Sequence, residues 1–215
     1  MQPDFPHITT EQDDDALIIR SDTPLHSLSS AVVGGGMGKV HAIVNRHVHK
    51  HYDCSDPIAD LRDFAGERNI TGDFVGMLTA VWMRKTRHIT QHVNGLTVSV
   101  IITAGVGNAI SAGISQPQTV QAGTINIIAL VDGNLSSAAL VNAVTTITEA
   151  KTAVLHARDI RTPDGLIATG TSTDAVVIAH TGKGDSLPYG GPVTEVGYLL
   201  ACCARECLEL ALDAP

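Results

Sequence analysis

The chain of 215 residues carries 14 Lys and Arg against 22 Asp and Glu, a formal net charge of −8, and is 44% hydrophobic, 17% charged and only 3% aromatic. This length suits a single domain spanning residues 1–215, with ample material for a core that must be aliphatic and no compositional sign of disorder. An acidic chain poor in rings is unsuited to nucleic acid, which calls for a basic face or aromatic stacking platforms, and it weakly favours a cationic or neutral ligand.

The opening segment MQPDFPHITTEQDDD has no basic stretch followed by an apolar one, so no secretory signal is expected. No apolar run reaches the roughly 18 residues of a membrane helix. Three of the four cysteines cluster as CCAREC, unlike a secreted disulfide framework. A soluble, cytoplasmic protein with no membrane partner is the expectation.

In chain order, the three aspartates at 13–15 predict a turn joining FPHITT to ALIIR in an opening hairpin. A strand near 28–33, a glycine loop and a second strand near 40–46 follow. Pro57 predicts the first turn of a helix over 56–66, capped by Ser55 or Asp56. DFVGMLTA reads as a short helical or loop segment leading into a strand from about 79. Asn94-Gly95 between two β-rich runs is the pattern of a two-residue type I′ hairpin. GTINIIALVDG (123–133) predicts a buried strand, and NLSSAALVNAVTTITEAKTAVLHA a long helix capped by Asn134 or Ser136. TDAVVIAH is a strand, and a second long helix follows Pro192. The tally predicts an α+β layered sandwich: a largely antiparallel or mixed sheet with two long helices packed on it.

Four stretches gather Gly, Asn, Thr or Asp at strand ends: GGGMG (34–38), TAGVGNA (103–109), VDGN (131–134) and ATGTSTDA (168–175). Glycine lets backbone N–H groups approach a ligand, and Asn and Thr add neutral hydrogen bonds. None is a phosphate-loop or dinucleotide fingerprint. On the helix over 136–156, Leu140, Val144, Ile147 and Val154 should face the core, while Asn142, Thr145, Glu149, Thr152 and His156 form a polar stripe suited to a cleft wall. Glu149 is the carboxylate in that stripe, and partial burial would raise its pKa into the range of a general acid or base. A surface pairing of Glu149 with Lys151 or Arg158 is the alternative. His47, His49 and His51 recur at period two and would share one face of a strand, yet no HExxH accompanies them. Cys202, Cys203 and Cys207 read as small buried residues, and no GxSxG elbow is present.

The ordered set SSAVVGGG, NRHV, VGMLTA, TAGVGNA, GTINIIALVDGNLSSAALVNAVTTITEAK, ATGTSTDAVVIA and YGGPVTEVG resembles the adenosylcobinamide amidohydrolase family, over roughly residues 25 to 210. The resemblance implies a corrinoid substrate, whose propionate amide to aminopropanol is hydrolysed to adenosylcobyric acid and the amino alcohol. It implies no required cofactor, since cobalt enters only within the substrate; no metal ligands are assigned, and whether a metal assists stays open. The acidic N-terminal stretch and HVHKH depart from the resemblance. On this reading Glu149, Thr171 and Asp174 are the catalytic candidates. Glu149 acts as acid or base on water or on Thr171, and Asp174 orients a partner. Backbone N–H groups from Gly105 through Gly107 to Asn108, or the Asn126 amide, would hold the oxyanion. Gly35, Gly36, Asn45, Asn142 and Thr169 complete the substrate-binding set. A direct-water route and a covalent threonine route both stay open, as do the preferred corrinoid and assembly into a homo-oligomer. A non-catalytic corrinoid carrier, and an unrelated amidase on a similar fold, are the competing readings.

Overall fold

The computed structural model describes residues 2–52, 55–117 and 124–214, so Gly123 at the predicted start of one strand lies outside the described residues. The segment Ile125–Asp132 (β8) is apolar nearly throughout because it is covered on both faces. Ile125, Ile127, Ala129 and Val131 face one way, toward two helices, while Ile128 and Leu130 face the other. Around it runs an eight-stranded mixed sheet. Its strands, in chain order, are β1 (Ile8–Gln12), β2 (Ala16–Ser29), β3 (Gly36–His47), β4 (Phe74–Thr79), β5 (Arg87–Val93), β6 (Leu96–Ala104), β8 and β11 (Ala175–His180). The order across the sheet is β4-β3-β2-β11-β8-β6-β5, with β1 paired to β2. Four two-residue strands stand apart: β7 (Ala109–Ile110) pairs with β10 (Gly170–Thr171), and β9 (Asn134–Leu135) with β12 (Ser186–Leu187).

The sheet forms two leaves. Strand β2 pairs with β3 along most of its 14 residues but meets β11 only from His26 to Ser29. Leu17, Ile19, Ile43, Val75 and Met77 of the first leaf thereby pack against Ile101, Ile128, Leu130 and Val177 of the second, in one cluster. The outer face of the second leaf carries α2 (Ser137–Ala157) and α3 (Glu195–Leu212). On the outer face of the first leaf, Leu61, Phe64 and Ala65 of α1 (Pro57–Glu67) are buried, Phe64 and Ala65 in a cluster with Ala16, Ile18, Ala42, Val44 and Phe74. The helix caps fall where hydroxyls and carboxylates allow: Asp56, Ser136 and Thr194 accept from the N–H groups of Ala59, Ala139 and Gly197 at 3.0–3.1 Å. The α+β sandwich, the opening hairpin, the Asn94-Gly95 turn and both long helices match expectation. Asn94 and Gly95 have φ of 50° and 81°, as a type I′ turn requires. The core is aliphatic, and all three phenylalanines contribute to it at its edges.

Two expectations are corrected. DFVGMLTA contains strand β4 rather than a helix or loop. Its Gly76 admits Phe74, Leu61 and Val33, which lie 3.0–3.3 Å from where a Cβ would stand, so the glycine marks close packing, not a break. The predicted strands at ALIIR and 28–33 are one strand, β2, which ends at Ser29; the Pro24 segment between them is absorbed as a register irregularity between Arg20 and Leu25.

At the far end of β11, His180 stacks on its cross-strand neighbour His26 with ring centroids 5.1 Å apart, and its Nδ1 lies 3.2 Å from the Gly133 carbonyl. Burial, reinforced by the nearby His26, holds the His180 imidazole below the usual histidine range. The unfolded chain therefore takes up this proton first as pH falls, and the folded state loses stability from about pH 6.5 downward. The urea-unfolding midpoint is expected to drop between pH 7 and pH 5. His180→Asn, which keeps a donor toward Gly133, should flatten that drop; an unchanged slope would refute the assignment.

Candidate active site

Along the space between the leaves, apolar side chains give way to polar ones at one end. Strand alternation carries Ile43 to Asn45 on β3, Met77 to Thr79 on β4, Ile101 to Thr103 on β6 and Ile128 to Asn126 on β8, so four polar groups converge from both leaves. The Asn126 amide donates to the Asn45 side-chain oxygen at 2.8 Å and to the Leu78 carbonyl at 2.9 Å, and Asn45 donates to Thr103 Oγ1 at 3.0 Å. Thr124 Oγ1 lies 3.0 Å from Asn126 Oδ1 and 2.8 Å from the Thr173 carbonyl. Asn45, Thr103, Thr124 and Asn126 are all buried, so each of their bonds replaces a lost contact with water. The network ties one leaf to the other.

Above this network opens a cleft of about 600 Å³. Ser30, Thr79, Thr124, Asn126, Thr173 and Asp174 give it a polar wall; Val32, Val48, Met77 and Ala80 give it an apolar one, and Lys50, His51 and Tyr52 stand on the same cleft. A few convergent polar groups set in an apolar surround is the usual form of a small-molecule site.

Asp174 stands at the mouth of β11 and is almost fully occupied. Its Oδ1 accepts from the Ile125 N–H at 3.1 Å and from the Thr171 hydroxyl; its Oδ2 accepts from the Thr171 N–H at 3.2 Å and from Lys151 Nζ. A carboxylate offers about four lone-pair sites, and four donors are present. Lys151 reaches it from α2 with its side chain 8% exposed, against 14% for Asp174. Gly170 is required beside the pair: a Cβ there would lie 2.6 Å from Asp174 Oδ2 and 2.8 Å from Lys151 Nζ. Asp174 thus anchors the loop that forms the cleft rim, and its proton-accepting capacity is spent.

Several predicted site residues are brought together and several are not. Asn45, Asn126, Thr171 and Asp174 meet at or beneath the cleft. Gly105 is adjacent, its N–H on the Thr124 carbonyl at 2.9 Å and its missing Cβ 2.8 Å from Val81. Asn108 donates to Ser172 Oγ at 2.8 Å, and Thr169 Oγ1 accepts from the Ala112 N–H at 2.9 Å, so both brace the loop behind the rim; Gly107 is exposed beside them. Gly35 lines a separate hollow of about 340 Å³ with Lys39 and Arg62, while Gly36 is exposed at the start of β3. VDGN lies at the opposite end of β8, about 25 Å away by strand rise. Asn142 sits near that far end, 3.5 Å from the Gly190 N–H.

Glu149 is exposed, as are Thr145 and His156, while Asn142 and Thr152 of the same stripe are half-buried, so the partly buried carboxylate expected there is absent. The buried charged residue is Lys151, four residues beyond Ile147 and three before Val154, on the core face of the helix. A lysine at that spacing was the signal that went unused. Nor do the three histidines share a strand face. His47 ends β3 with its ring 4.5 Å from Trp82, whereas His49 and His51 lie in the following turn. Among the described residues no three His, Cys, Asp or Glu groups are placed to hold a metal ion. Burial pushes the Cys203 and Cys207 thiols up to about 12, in keeping with small core residues.

Over residues 3–215 the chain matches a family model described as adenosylcobinamide amidohydrolase. It is 33% identical over 193 residues to a Methanosarcina mazei protein of that name, covering 86% of this chain and 87% of that one. A Halobacterium salinarum protein of the same name is 35% identical over 128 residues, 54% of this chain and 51% of its own. A crystal structure of a Pyrococcus horikoshii protein is similar in fold, with a TM-score of 0.54 over 97% of this chain and 83% of that chain, at 12% identity.

Lys151→Met should leave the Asp174 charge uncompensated and destabilise the protein by about 3 kcal/mol, the low end for a broken buried pair because Asp174 keeps an edge on the cleft. Adding Asp174→Asn should recover part of that loss. Equal stability of the single variant and the wild type in urea titration would show that the pair does not hold the rim.

Proposed function

The chain belongs to the adenosylcobinamide amidohydrolase family, and we propose that the cleft between its two leaves is where it hydrolyses the amide joining a corrin propionate to aminopropanol. The products are adenosylcobyric acid and the free amino alcohol. The observation that carries this reading is the family match across nearly the whole chain; the cleft supplies a place of suitable character. Its apolar wall can receive the rim of a corrin ring, and its hydroxyls and amides suit the ring's carboxamides. The acidic chain suits a cationic substrate. No cofactor enters the reading, cobalt arriving within the substrate.

The residues divide into those that hold the site and those with bonding capacity left for a substrate. Asn45, Asn126, Thr124, Asp174, Lys151 and Thr171 are paired to one another or to backbone, so they form a preorganised frame. Such a frame needs no reorganisation as charge develops in the transition state. Ser30 and Thr79 accept from the Val176 and Val81 N–H groups, which leaves their hydroxyl protons to bind the amide carbonyl or a water. Lys50 brings a positive charge to the same cleft, where it can stabilise an oxyanion. Water is the proposed nucleophile. Thr171, the alternative, is buried outside the residues lining the cleft and its hydroxyl is committed to Asp174.

Purified, chelator-treated protein incubated with adenosylcobinamide is expected to yield adenosylcobyric acid and aminopropanol by chromatography and mass spectrometry. Bound but unhydrolysed corrinoid, with no turnover on adding Zn²⁺ or Co²⁺, would instead identify a carrier. Glu149→Gln should leave kcat/KM within about twofold, as for an exposed surface group. Asn126→Ala, which unties the two leaves at the cleft floor, should lower it by about tenfold or more.

A further inference from the structure

One motif is not absorbed by the frame just described: HVHKH, with His47, His49 and His51. The three rings have separate fates. His47 is stacked on Trp82, with its Nδ1 3.1 Å from the Val81 carbonyl, so Nδ1 carries the proton and the ring is fixed away from the cleft lining. His49 accepts the His51 N–H on its Nδ1 at 3.2 Å, which pins the backbone of the turn; the two rings stand 5.3 Å apart. His51 alone of the three lines the cleft.

Amide hydrolysis makes a demand that the frame does not meet. An amine leaves a tetrahedral intermediate only if its nitrogen gains a proton, because an amide anion is far too basic to depart. Of the described cleft residues, Asp174 is filled by four donors. The Tyr52 hydroxyl donates to Asp60 at 2.6 Å. Lys50 is assigned above to the developing oxyanion, as a fixed positive charge. Imidazole is the side chain that most often serves as a general acid, and His51 is the one imidazole among the described lining residues.

We infer that His51 is the general acid of this reaction, an assignment that rests on the hydrolytic reading above. Water adds to the amide carbonyl carbon and loses a proton to solvent. The C–N bond then breaks, its electron pair stays on nitrogen, and the His51 imidazolium transfers its proton there, giving the carboxylic acid and the amine. Solvent reprotonates the ring. The charged and titratable groups around it are His49 beside it, Lys50 and Tyr52 on its own segment, Asp60 held by Tyr52 on α1, and Asp174 on the same cleft.

The test compares two substrates of the same corrin acid: the natural amide, and an aryl ester whose phenolate leaves without a proton. His51→Gln should lower kcat/KM on the amide by about 10²- to 10⁴-fold and abolish the alkaline limb of its pH profile, while the ester is cleaved at close to the wild-type rate. Added imidazole should restore amide turnover to His51→Gly, and His49→Gln should show no such split between substrates. Equal losses on both substrates, a change confined to KM, or undiminished amide hydrolysis would each overturn the assignment. A wild-type protein inert toward the amide but able to bind it would overturn the hydrolytic reading itself, and this role with it.

Discussion

A carboxylate taken out of water costs several kcal/mol unless donors and a counter-charge replace the lost solvation. Asp174 meets that requirement with a lysine, a hydroxyl and two backbone N–H groups drawn from three separate parts of the chain. Lys151 must therefore come from the second half of α2, Ile125 from the mouth of β8, and Thr171 from the short strand pairing with β7. The course of α2 follows from this as much as from its apolar face. The helix starts at the far end of β8 and runs back along the sheet until Lys151 stands over the start of β11. Gly170, without a Cβ, leaves the space the pair occupies.

The same logic operates between the leaves. Most of that interface is aliphatic and contributes by burial, at roughly 25 cal/mol per Å² of apolar surface. At one end it changes to Asn, Thr and Asn, which gain little net stability per bond but cost about 1–3 kcal/mol for each partner left unsatisfied. Such a network tolerates one relative position of the leaves. Core and site are consecutive residues on the same strands, and alternation on β3, β4, β6 and β8 delivers a polar side chain wherever the apolar series stops.

Much of this could be read in the sequence because it is local. Asn94-Gly95, the caps Asp56 and Ser136, and the continuous apolar run of β8 each reflect a few neighbouring residues, and each was found in place. The site was less legible because it depends on which ends of which strands meet. VDGN and ATGTSTDA look alike as loops, yet parallel pairing of β8 with β11 places them at opposite ends of the sheet. Periodicity gave α2 a polar stripe and an apolar stripe correctly, but the chemistry resides in the exception, a lysine on the apolar side, while Glu149 on the polar side meets only solvent. DFVGMLTA read as helix or loop for a related reason, since nothing in the sequence marks Gly76 as a glycine that makes room for Phe74 and Leu61 within a strand.

The narrow junction between the leaves has a consequence of its own. Strand β2 joins them through four residues, His26 to Ser29, in the manner of a book's spine, and the cleft opens along the top edge of the book, where Ser30 follows the last residue of that junction. The gap at that edge is then set by the thickness of the pages. The Ile101, Leu130, Ile43 and Val75 side chains act as spacers, although none lines the cleft. The bulk of substrate such a chain admits is written into its aliphatic core, where a single methylene gained or lost alters the width of an opening formed by other residues.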